Sequence, residues 1–86
     1  MVKFLVRGSV RGKISDNHRT LSGAVRSMLK DHRSCSRLGG GSYSDARVYA
    51  RLDGQEYHVE IFTDNLGVVV RDNFHLPAEI QAAIQA

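Results

Sequence analysis

Residues 45–62, DARVYARLDGQEYHVEIF, alternate apolar and polar positions on either side of Asp53-Gly54. Asp-Gly suits a two-residue type I′ turn, because both central residues of that turn take positive φ. Folding the run about the turn sets Leu52 against Gln55, Arg51 against Glu56, Ala50 against Tyr57, Tyr49 against His58 and Val48 against Val59, then Arg47 against Glu60 and Ala46 against Ile61. One face then carries Ala46, Val48, Ala50, Tyr57, Val59 and Ile61. The other carries two opposite-charge pairs, Arg47/Glu60 and Arg51/Glu56, with Tyr49 beside His58. A slip of one residue would turn the apolar set outward and scramble both pairs, so pattern and turn chemistry predict the same register.

Residues 2–7 also alternate, with Val2, Phe4 and Val6 on one side and Lys3, Leu5 and Arg7 on the other, which predicts a half-buried strand. A three-residue loop Arg7-Gly8-Ser9 would pair Val6 with Val10, Phe4 with Gly12 and Val2 with Ile14, and so give a second strand over 10–14. Residues 16–20 offer helix caps. Leu21, Ala24, Val25, Met28, Leu29 and His32 then recur at helical spacing, with Arg26, Lys30 and Arg33 on the opposite side. This predicts an amphipathic helix over about 20–33. Residues 34–44 lose the period, hold three consecutive glycines and read as a mobile connection. Residues 63–67 read as a turn and 68–71 as a strand. Pro77 is placed as the first residue of a C-terminal helix, with Glu79 in its first turn and an apolar stripe of Leu76, Ile80, Ala83 and Ile84. The expected fold is α+β: an antiparallel sheet of about four or five strands with one main amphipathic helix and a short C-terminal helix on one face.

Eighty-six residues suit a single domain spanning 1–86. A chain of this size buries about 60–65% of its unfolded surface, which leaves little room for an enclosed substrate pocket. One cysteine, Cys35, excludes an internal disulfide and points to a reducing cytoplasm. No apolar run approaches the roughly 20 residues of a membrane span, so no membrane partner is expected.

Charge changes the picture more than composition does. Residues 1–43 carry nine Lys and Arg (Lys3, Arg7, Arg11, Lys13, Arg19, Arg26, Lys30, Arg33, Arg37) against Asp16 and Asp31, a balance of +7. Residues 44–86 carry three against seven acids, a balance of −4, and the whole chain is at +3. Such asymmetry suggests a basic surface for an acidic partner, protein or nucleic acid, unless the halves pack together and neutralise one another. The stripe Arg26, Lys30 and Arg33, continued by Arg37, is the leading contact surface. Arg47, Tyr49, Arg51 and His58 on the outer hairpin face form a second set. For direct nucleic-acid binding, Lys3, Arg7, Arg11 and Lys13 on the first strands would be the backbone contacts. Tyr49 and His58 could stack bases, but Glu56 and Glu60 beside them would repel phosphates, which favours an ordinary cross-strand pair or a protein interface. An exposed edge strand would also let two copies pair.

No motif for catalysis emerges, so no enzyme activity, metal or cofactor is expected. Gly8-Ser9-Val10-Arg11-Gly12-Lys13 has three residues between its glycines and Ile14 after the lysine, where a phosphate-binding loop needs four and a Ser or Thr. The Gly39-Gly40-Gly41 run follows a helix, whereas a phosphate cradle precedes one. His32 and Cys35 are three apart, but His32 continues the apolar helix face and no third group completes a catalytic set. The four histidines lack metal-ligand spacing.

Two resemblances follow from these residues. GGGSYSDARVYARLDGQEYHVEIF resembles the central part of the HicA-type mRNA interferase toxins, small basic domains with a helix, a three-stranded sheet and a second helix. Tyr43 stands where that family has its catalytic histidine, and the strands over 2–14 are foreign to it, so the toxin's chemistry does not carry over. The whole chain, with TLSGAVRSMLKDH followed by the Asp-Gly hairpin, resembles phage-encoded accessory proteins, including anti-CRISPR inhibitors, in size and α+β organisation. That resemblance implies a protein that acts in a bacterial host cell by occupying a surface on a nucleic-acid-handling complex such as a CRISPR effector.

Overall fold

The computed structural model describes residues 1–8, 12–37, 46–64, 67–70 and 75–85. The elements run β1 (Lys3–Gly8), β2 (Gly12–His18), α1 (Leu21–Arg37), β3 (Arg47–Leu52), β4 (Gln55–Val59), β5 (Ile61–Asp64), β6 (Gly67–Val70) and α2 (Ala78–Gln85). Four strands form an antiparallel sheet in the order β2-β1-β3-β4, and β5 and β6 form a separate two-stranded sheet. The architecture is α+β, as the pattern of the sequence predicts.

The β3–β4 hairpin has the expected register from Leu52↔Gln55 to Val48↔Val59. Asp53 at φ 51° and Gly54 at φ 81° supply the two positive φ values of the turn. The ladder stops there. Its rungs do not extend to Arg47/Glu60 or Ala46/Ile61, because the chain leaves the strand at Glu60 and starts a new ladder, Ile61↔Val70 to Asp64↔Gly67. The turn expected over 63–67 is therefore strand at both ends, with residues 65 and 66 outside the described part. The strand expected over 68–71 begins one residue early, and Arg71 is also outside it.

The first hairpin departs further from expectation. Gly8 pairs with Gly12, Arg7 with Lys13, Val6 with Ser15 and Phe4 with His18, so β2 carries two more residues than β1 over the same span. They are absorbed as bulges at Ile14 and at Asp16-Asn17. Asn17 sits at φ 62°, and its N–H is accepted by the Asp16 carboxylate at 2.6 Å. Asn tolerates the left-handed region better than other side chains do, which is why the extra residue fits here. Gly12, at φ 73°, opens the strand in a conformation that favours glycine. Strand β2 begins at Gly12, Val6 pairs with Ser15 and Phe4 with His18 in place of the expected Val10 and Gly12, and Val10 lies outside the described residues.

Helix α1 starts at an N-cap, where Thr20 Oγ1 accepts the Gly23 N–H at 3.2 Å. It runs to Arg37 instead of stopping at 33. Ser34-Cys35-Ser36-Arg37 contains no Gly or Pro, and these residues lower helix propensity by only a few tenths of a kcal/mol each, too little to end a packed helix. The connection over 38–45, with its glycines and Tyr43, lies outside the described residues. At α2, Pro77 is the cap and not the first helical residue, since its carbonyl accepts the N–H groups of Ile80 and Gln81, both at 3.0 Å.

Both helices lie on one face of the four-stranded sheet. Phe4 and Val6 of β1, Val48, Ala50 and Leu52 of β3 and Val59 of β4 share one core with Ala24, Val25 and Met28 of α1 and with Leu76 and Ile80. Ile61, Ala83 and Ile84 pack against it. Strand β1 is central and buried on both faces: Phe4, Leu5 and Val6 are each 0% exposed. Leu5 is not part of the helix-side core. It lies on the outer face, in register with Tyr49.

Candidate functional site

The cationic residues divide according to whether an acid compensates them. On the outer sheet face, register alone would pair Arg51 with Glu56. Instead Glu56 is bonded by Arg7 of β1, at 2.9 Å and 3.0 Å to its two oxygens, and Arg51 donates to Asp16 of β2 at 3.0 Å. Each arginine reaches over the neighbouring strand. The Arg7 Nε is buried, with no hydrogen-bond partner among the described residues. Leu5 shares this face with both arginines and with Tyr49, and is closed from solvent. Aliphatic arginine stems can cover apolar surface in this way while the guanidinium stays at an acid.

Asp16 is the hub of the arrangement. It accepts from the Asn17 N–H, from Arg51 and from Lys13, the last at 3.4 Å. These contacts, the backbone N–H foremost, hold its carboxyl below the usual carboxylate range, against an opposing effect of desolvation. The sequence offered Asp16 only as one of several cap candidates. Nothing in the local pattern announces a carboxylate whose partner lies 35 residues on.

Tyr49 and His58 meet as predicted, with ring centroids 5.5 Å apart at 50°. Both are half-buried, and Arg47 beside them is exposed. Burial lowers the His58 pKa, the positive charge of Arg47 and a smaller effect of His75 lower it further, and Glu60 acts in the opposite direction. The imidazole is therefore held towards its neutral form.

On the other side of the molecule, α1 buries Ala24, Val25 and Met28 against the sheet and leaves Arg26, Lys30 and Arg33 exposed. None of these three has an ion pair among the described residues. Arg37 continues the helix backbone, and nothing is described of its side chain. Half-buried His32 bonds the Ala46 carbonyl through Nε2 at 3.2 Å and so ties the helix to the start of β3.

The two sets expected to act in contact with a partner are therefore not joined. The helix stripe and the outer hairpin face (Arg47, Tyr49, Arg51, His58) point away from opposite sides of the sheet. Of the alternative set, Lys3 and Arg7 lie on the outer face, Arg7 and Lys13 are ion-paired, and Arg11 is outside the described residues.

A polar seam between β2 and α1 has no counterpart in the sequence reading. Ser15 Oγ lies 2.8 Å from His18 Nε2 and 2.7 Å from Ser27 Oγ. A Cβ at Gly23 would come within 3.3 Å of His18 Nδ1, so glycine lets the helix approach the ring. Among the described residues no carboxylate bonds this histidine, and the seam satisfies polar groups between the layers. No three of His, Cys, Asp and Glu among them come together as metal ligands, and no described helix is long and apolar enough to cross a membrane. No protein-family model, no curated protein and no solved structure matches the chain.

Proposed function

We propose that this chain is a non-enzymatic binding protein of the phage-inhibitor type, one that docks the basic stripe of α1 on an acidic protein surface of a nucleic-acid-handling complex, such as a CRISPR effector in a bacterial host cell. The observation that carries the proposal is the contrast in charge compensation. Arg7, Lys13 and Arg51 are held by Glu56 and Asp16, whereas Arg26, Lys30 and Arg33 stand exposed in one row without an ion pair among the described residues. Three like charges spaced along a packed helix give a rigid, one-signed edge, which favours rapid association with an acidic surface. A solvated helix face looks the same in isolation, so the test has to be binding.

Affinity capture from bacterial lysate, with and without nuclease, compares the native chain with Arg26→Glu/Lys30→Glu/Arg33→Glu. The expected result is a protein partner retained after nuclease and lost with the triple reversal. Capture that survives the reversal unchanged removes α1 as the contact. The second reading, direct binding to nucleic acid, draws on the same stripe alone, since Lys3 lies on the opposite side of the sheet. It predicts a mobility shift at low salt, with a log-affinity slope steeper than that of the variant by about 2–3 for three phosphate contacts. No shift at low salt removes that reading.

A further inference from the structure

The two edges of the four-stranded sheet are built differently. Edge strand β2 carries two bulges, a left-handed residue at Asn17 and the exposed Lys13, features that keep another strand from adding. Edge strand β4 has none of them: Gln55–Val59 reads QEYHV, without Pro or Lys, and its ladder with β3 is unbroken. In a two-residue type I′ hairpin the residues flanking the turn exchange both of their ladder hydrogen bonds, and hydrogen-bonded pairs alternate from there. Gln55, Tyr57 and Val59 therefore direct their backbone groups to β3. Glu56 and His58 direct theirs outward, along the free edge.

We propose that a second copy of this chain pairs antiparallel along β4, centred on Tyr57, to form a two-fold dimer with one continuous eight-stranded sheet. In this register each Glu56 faces the partner's His58, and the two symmetric pairs exchange four backbone hydrogen bonds through the groups that point outward. Tyr57 meets its own copy on the two-fold axis, on the helix-bearing face. Neighbouring registers are worse on charge or on geometry. Centring on Glu56 sets Glu56 against itself, and centring on His58 sets Glu56 against Glu60; like charges opposite one another destabilise a ladder. Centring on Val59 would need Glu60 in the strand, and the chain has left the strand there. Excluding like-charge opposition and the strand's end leaves this one register, in which the outward backbone groups of Glu56 and His58 are complementary to those of a second copy. On the outer face the two Tyr49–His58 pairs flank the axis, which places a doubled aromatic patch opposite the helix stripes and leaves those stripes free for another partner.

Sedimentation equilibrium across concentration tests this, with circular dichroism to check that each variant folds. The native chain is expected to double in mass below ~1 mM, the weak end of specific association. His58→Glu places a second carboxylate opposite Glu56 and should raise the dissociation constant at least about tenfold. Combining it with Glu56→Lys swaps the pair and should restore the dimer. His58→Pro, which removes an outward N–H without touching the β3 ladder, should also give a monomer. A native chain that stays monomeric to ~1 mM, a dimer indifferent to His58→Glu or His58→Pro, or a loss that the charge swap does not rescue would each overturn the proposal.

Discussion

The two hairpins of the sheet share strand faces, neighbours and core, yet they are specified in different ways. In β3–β4 a two-residue turn with two positive φ values leaves one register open, and every residue of the ladder falls where alternation puts it. In β1–β2 the strands are held less by their connection than by what they meet. Strand β1 is anchored on its other side by β3, from Lys3↔Arg51 to Arg7↔Arg47, and β2 accommodates to it through bulges. A turn can dictate a register only when it is short and stereochemically demanding. Otherwise the strand held on its other side sets the register and its neighbour bends.

Three measurements would break or sharpen this contrast. The largest effect is expected where both hairpins depend on one residue. Phe4 is fully buried and pairs with His18 on one side and Ala50 on the other. Phe4→Ala should cost roughly 3–5 kcal/mol in denaturant unfolding, and a loss under ~1 kcal/mol would show that β1 is not the shared anchor. Next come the positive-φ positions. Gly54→Val puts a β-branched residue at φ 81° and should cost roughly 2 kcal/mol, whereas Asn17→Ala, at a bulge already free to adjust, should cost about 1 kcal/mol or less. The reverse order in unfolding midpoints would make the bulge, not the turn, the stricter element.

The smallest effect is acid sensitivity. His58 and Asp16 both have lowered pKa values, so in each case the unfolded chain binds protons more readily than the folded one. Their contributions are complete above the ordinary values of 6.5 and 3.8, and each is lost as pH falls through the lowered value. Stability should therefore fall in two steps on acidification. His58→Gln should flatten the first step and leave the second, and Asp16→Asn should do the opposite. A profile unchanged by either substitution would contradict the environments described for these side chains.

What could be read from the sequence follows the range of the interactions. The Asp53-Gly54 hairpin, the face of α1 and the Leu76/Ile80 stripe are set by spacings of two, three or four residues, and they fold as those spacings require. The continuation of α1 to Arg37 was hidden because loss of apolar period does not itself end a helix. The break at Glu60 was hidden because Val59 and Ile61 keep alternating across it. The outer face was least legible. Arg7–Glu56 and Arg51–Asp16 join residues 49 and 35 positions apart, and those partnerships depend on the strand order β2-β1-β3-β4. Arg51 and Glu56 oppose one another in the ladder, as the local pattern implies, but each finds its ion partner two strands away. The separation of the helix stripe from the hairpin patch is likewise a property of layering, which charge along a sequence does not encode.

Placing β1 at the centre of the sheet also has a consequence for synthesis. In chain order β2 follows β1 at once, but the other neighbour of β1 comes only after the whole of α1 and the connection to β3. During that interval the fully buried run Phe4-Leu5-Val6 has one side unpaired, and a nascent chain in that condition invites mispairing. Residues 1–43 carry a balance of +7, so like-charge repulsion between copies opposes that mispairing.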